Sequence, residues 1–147
     1  MNRIEAIILA MAAAAAAQFR PNGFAQKRPD VQAYLALKRL LVDKYPTVSH
    51  DILDVGPGSV ERQNVLRNQL QQAGVDEDTA VMRQIRQILQ LILKHDPKSA
   101  TAVFVTPADL QNALITLTNH LEAVEYEQRN RIRHPHHSAD EPAPAYF

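Results

Sequence analysis

The sequence predicts an all-α fold: a small helical bundle of about five helices with a disordered C-terminal tail. Three observations carry this. Apolar residues recur at three- and four-residue spacing in several separate runs, the pattern of helices with one buried stripe. β-Branched residues gather into no alternating run, tryptophan is absent and aromatics make up only 5%, so a sandwich or barrel lacks its usual side chains. Serine, threonine, aspartate, proline and glycine stand at the run boundaries, where helix caps and stops belong. At 147 residues the chain fits one domain with tails: residues 1–18 as an N-terminal alanine-rich helix, 30–130 as a helical bundle, and 131–147 as a disordered tail.

The first segment runs from Ile4 to Met11 and on through six alanines, has high helix propensity, and stops near Arg20-Pro21-Asn22-Gly23. Three readings stay open for it. It is a first helix packed on the domain, a helix that docks on a membrane or a protein, or a secretory signal peptide. A span needs ~20 mostly apolar residues, and Glu5 beside a single Arg3 makes a poor charged start for a signal. Phe19 to Pro29 reads as a linker. Asp30 then caps a second helix with Val31, Tyr34, Leu37 and Leu41 on one side, while Lys38, Arg39, Asp43 and Lys44 point to water. Pro46 ends that helix. Residues 47–55 form a short helical turn with Ser49 as its cap, and Gly56-Pro57-Gly58 leads into a hairpin.

The hairpin spans Ser59 to Leu93. Ser59 caps its first run, Val65, Leu66, Leu70 and Ala73 form the stripe, and Gly74 is the stop. Asp76 caps the second run, with Glu77 and Asp78 as an acidic first turn. There Val81, Ile85, Ile88 and Ile92 make a line that Met82, Leu89, Leu91 and Leu93 widen, which predicts a helix at the centre of the core. His95-Asp96-Pro97 breaks it. Ala100 to Val105 is apolar but too short for periodicity to assign. Thr106-Pro107-Ala108-Asp109 opens a last helix to about Asn130, along which Leu110, Leu114, Leu117, Leu121 and Val124 form a coiled-coil-like seam.

Catalytic equipment is not visible. Sixteen basic residues balance sixteen acidic ones, so nucleic acid is not an expected partner, although Lys38-Arg39, Arg83 and Arg86 form local basic pairs. The absence of cysteine removes disulfides and thiolate chemistry and suits a cytoplasmic location. Gly56-Pro57-Gly58-Ser59 lacks the lysine and the preceding strand of a phosphate loop and reads as a turn and cap. His134, His136 and His137 lie in the polar tail without structural-zinc spacing, and His50, His95 and His120 stand singly, so neither metal nor cofactor is expected.

The runs Gln32 to Leu41 and Gly58 to Leu66, with Leu70, Ala73-Gly74 and the acidic turn Asp76 to Asp78, resemble a bacterial helical module of conflict and NLR-type signalling proteins, of the death-like or effector-associated adaptor kind. The resemblance covers roughly residues 4 to 93. Arg67-Asn68-Gln69 stands where such modules are usually acidic, and the helix after Thr106 stands in place of their glycine- and asparagine-rich tails. The resemblance implies a non-enzymatic adaptor that docks on a protein partner, a like domain or a second copy among them, and it implies no catalytic residues. Candidate contacts are the basic residues Lys38, Arg39, Arg62, Arg67, Arg83 and Arg86 and the seam Leu110, Leu114, Leu117 and Leu121. Two alternatives stand beside it: a membrane-associating or pore-forming segment at residues 1–18 held by a helical body, and an exported helical binding protein.

Overall fold

A computed structural model describes residues 1–18 and 28–133; the rest of the expected linker and residues 134–147 of the expected tail lie outside the described residues. The described residues form six helices and no strand: α1 (Arg3–Gln18), α2 (Pro29–Lys44), α3 (Ile52–Val55), α4 (Val60–Ala73), α5 (Thr79–His95) and α6 (Pro107–Arg133). Two 3-10 segments, Val75–Glu77 and Pro97–Val103, join α4 to α5 and α5 to α6.

The bundle is built around α1. Eleven of its sixteen residues are buried, including Ala12, Ala13, Ala14 and Ala15, and it packs against every other helix. A helix apolar on all sides has no solvated face to offer and is stable only when enclosed. Alanine also permits the enclosure, because its small side chain lets neighbouring backbones approach closely while keeping the highest helix propensity. The sequence expectation placed α5 at the centre. α5 does bury Val81, Met82, Ile85, Ile88, Leu89 and Ile92, but its Arg83, Gln87 and Gln90 face water, so it is a wall of the core. Polar clasps fix α1 at both ends. Arg3 reaches Asp76 Oδ2 at 3.2 Å and Glu77 Oε1 at 2.8 Å, Glu5 pairs with Arg67 of α4, and Gln18 donates to Asp54 Oδ1 at 2.9 Å.

Several caps fall where the sequence places them. Ser59 Oγ accepts from the Arg62 N–H at 3.3 Å, and Gly74 adopts the left-handed conformation with φ 68°. Thr106 and Asp109 exchange backbone-to-side-chain hydrogen bonds at 3.0 and 3.1 Å, closing a reciprocal box at the start of α6. Three caps differ. Asp78, not Asp76, caps α5, accepting from the N–H groups of Ala80 (2.9 Å) and Val81 (3.2 Å), because the acidic turn before it is a 3-10 segment. Arg28 rather than Asp30 is the N-cap residue of α2, and Asp30 lies in its first turn, 1% exposed, bonded to the Val31 N–H and to Arg28. Ser49 hydrogen-bonds the Gln69 side chain instead of capping α3. The last helix continues through Arg133, so residues 131–133 are helical where a tail is expected.

Candidate interaction surface

The leucine seam faces inward. Leu110, Leu117 and Leu121 are fully buried and Leu114 packs against the same core, so the periodicity that suggests a docking face is a core stripe. This is a correction to the sequence reading. A core-facing helix and an exposed coiled-coil seam share one pattern, and only the neighbours distinguish them. Here α1 and α5 are the neighbours.

The basic candidates are scattered. Arg67 is drawn to Glu5 and Asn64, Arg83 lies 3.7 Å from Glu125, and Arg62 donates to the Ile52 carbonyl at 3.4 Å. Arg39 is exposed and Arg86 half-buried, and neither makes an ion pair among the described residues. Lys38 does not point freely to water. Its Nζ meets Asp54 Oδ2 at 2.5 Å and sits 4.8 Å from the Tyr34 ring centroid. Asp54 also accepts from the Tyr34 hydroxyl at 2.8 Å, and burial together with the Asp54 charge pushes that phenol's pKa well above its ordinary value. This node ties α1, α2 and α3 together.

A second node surrounds Asp78. Tyr45 donates to Oδ2 at 2.6 Å and Lys44 at 3.1 Å, beside the two capping N–H groups. Burial alone would raise the Asp78 carboxyl, but the hydrogen bonds from Tyr45, Val81 and Lys44 outweigh it and hold the pKa below the usual carboxylate range. Burial and the same carboxylate push Tyr45 up to about 12. The third node is Arg28, which bonds Asp30 Oδ2 at 2.6 Å and Asp96 Oδ2 at 3.2 Å. All three nodes join helices to one another.

One concavity, about 460 Å³, lies where the start of α1 meets α4 and α6, with Arg3, Asp76, Thr116 and His120 in its wall. Its Arg3 and Asp76 are already paired with each other. No group of three or more His, Asp or Glu able to hold a metal exists among the described residues, and no described helix is long and apolar enough to cross a membrane.

Three apolar side chains stand in water at the edges of the Gly56-Pro57-Gly58 turn and just past the second 3-10 segment: the last residue of α3, the first of α4, and Phe104. Val55 is 78% exposed, Val60 70% and Phe104 87%. The turn and the 3-10 segment meet at Gly58, where a Cβ would lie 3.7 Å from Val103. Phe104 is the only described residue other than glycine with positive φ, at 63°. The backbone there closes a Schellman stop, with the Phe104 N–H bonded to Thr101 O at 3.1 Å and the Val105 N–H to Ala100 O at 3.0 Å. Glycine fills such a position without strain, whereas a side chain costs about 1–2 kcal/mol. A solvent-exposed phenylalanine returns none of that through packing. These three residues escaped the sequence reading, since Ala100 to Val105 showed no period and Val55 and Val60 flank a turn. Apolar residues bracketing Gly56-Pro57-Gly58 were the available signal.

No protein-family model, curated protein or solved structure matches the chain.

Proposed function

We propose that this chain is a non-enzymatic helical adaptor whose docking surface includes the exposed side chains of Val55, Val60 and Phe104. The observation that supports it is Phe104, held in a left-handed conformation with its ring in water. Backbone strain kept for an exposed aromatic is the pattern of a functional constraint, and an aromatic anchor amid smaller apolar residues is the usual composition of a binding hot spot. The partner is another helical domain that offers a groove to the ring. The resemblance to conflict-type adaptor modules gives the biological setting: signalling by docking in the bacterial cytoplasm, with neither cofactor nor metal.

The test is site-specific photo-crosslinking in the native host. A photoreactive residue at Val60 is expected to trap one discrete protein, whereas one at exposed Gln72, about 18 Å away along α4, traps none. Equal labelling from both positions, or none from Val60, overturns the reading.

A further inference from the structure

α6 carries a second seam on its outer side. Among residues 107–131 of α6, Leu121 is the last that is fully buried, and the helix continues through residue 133, about 18 Å beyond it. On the face turned away from Leu110, Leu117 and Leu121 run Ile115, Asn119, Glu122, Tyr126 and Arg129, in steps of four, three, four and three. Ile115 is 49% exposed and Tyr126 60%, and Glu122 and Arg129 are exposed without an ion pair among the described residues. A preference for cations near a helix C-terminus accounts for the arginine. It does not account for a solvated tyrosine on the same stripe.

The order of charges is self-complementary. Glu122 and Arg129 are two turns apart with Tyr126 between them, so an antiparallel second helix with its two-fold axis beside Tyr126 sets each Glu122 against the other copy's Arg129. The tyrosines then face each other across the axis. Parallel pairing would instead oppose like charges. The chain's net charge of zero leaves no long-range repulsion between copies. We propose that a second copy of this chain docks antiparallel on the outer seam of α6, with Tyr126 at the axis and reciprocal Glu122–Arg129 pairs on either side. This contact uses a different surface from the exposed side chains of Val55, Val60 and Phe104, and either stands without the other.

Sedimentation of the full chain tests it at low salt, where exposed charge pairs are least screened. The wild type is expected to show a concentration-dependent monomer–dimer equilibrium that shifts toward monomer at high salt. Glu122→Arg or Arg129→Glu each turns two symmetric attractions into repulsions and should weaken the dimer about tenfold. An equimolar mixture of the two variants should recover it, because the mixed pair opposes arginines on one chain to glutamates on the other. Far-ultraviolet circular dichroism confirms that both variants stay helical, and recovery on mixing is a readout that misfolded chains cannot give. A wild type that stays monomeric at its highest soluble concentration overturns the proposal, as does a mixture no more dimeric than its separate components.

Discussion

Ala13 lies in the middle of α1 with no exposed surface, enclosed by the other helices. Ala13→Leu inserts three carbons where there is no room. Their burial would be worth about 0.8 kcal/mol each if space existed, but in a filled core overpacking forces off-rotamer side chains and backbone shifts that cost about 1–3 kcal/mol net. Ala13→Gly fails in the other direction, losing about 1 kcal/mol of helix propensity and roughly another 0.8 kcal/mol for the missing methyl. Against a total stability of about 5–15 kcal/mol, either loss is readily measured. The control is Ala123→Leu on the exposed end of α6, which should stay within about 0.5 kcal/mol of wild type. Urea unfolding followed by circular dichroism gives all three values. If Ala13→Leu is as stable as the wild type, α1 does not form the packed centre and the fold described above is wrong.

Three further perturbations probe the joints. Gly74→Ala should lower stability by about 1 kcal/mol in the same assay, through backbone strain alone, since a Cβ there meets nothing within 4 Å. Because Asp78 has a folded pKa below its unfolded value of about 3.9, its contribution is present above that value and is lost as pH falls through the lowered one. The stability gap between wild type and Asp78→Asn, measured in urea, should therefore close in acid. A gap that widens in acid contradicts the assignment. Tyr34 and Tyr45 have raised folded pKa values, so their contribution is complete below about pH 10 and is lost as pH rises through the folded values, that of Tyr45 being about 12. Absorbance titration should find Tyr34 and Tyr45 ionising late, and Tyr34→Phe should cost about 1 kcal/mol for the lost hydrogen bond to Asp54.

Much of the fold is legible in the sequence, because helix existence depends on local patterns. The stripe of α5, the stop at Gly74, the cap at Ser59 and the Thr106 box are each fixed within a few residues of chain. Which helix is central is a different kind of question. α1 has no polar face to reveal its surroundings, and only the other helices closing around it show that its alanines are core. The nodes were hidden for a related reason. Lys38 reads as solvated on its own helix, and the carboxylate that captures it is 16 residues away on α3. The proposed docking surface is least legible of all. Val55 and Val60 only bracket a turn in the sequence, and the left-handed backbone of Phe104 follows from the stop of a 3-10 segment that has no periodic signature.

The proposed role of Phe104 separates binding from folding, and one variant measures both. Phe104→Gly removes the ring and at the same time relieves the left-handed strain, so the loss of about 1–2 kcal/mol of strain offsets the greater entropy of an unfolded glycine. The decisive measurement is the crosslinking yield from position 60 in that variant, with its melting temperature recorded on the same preparation. An adduct that disappears while the melting temperature holds or rises is the predicted result. An undiminished adduct, or a melting temperature that falls by several degrees, contradicts the assignment of Phe104 as a docking anchor.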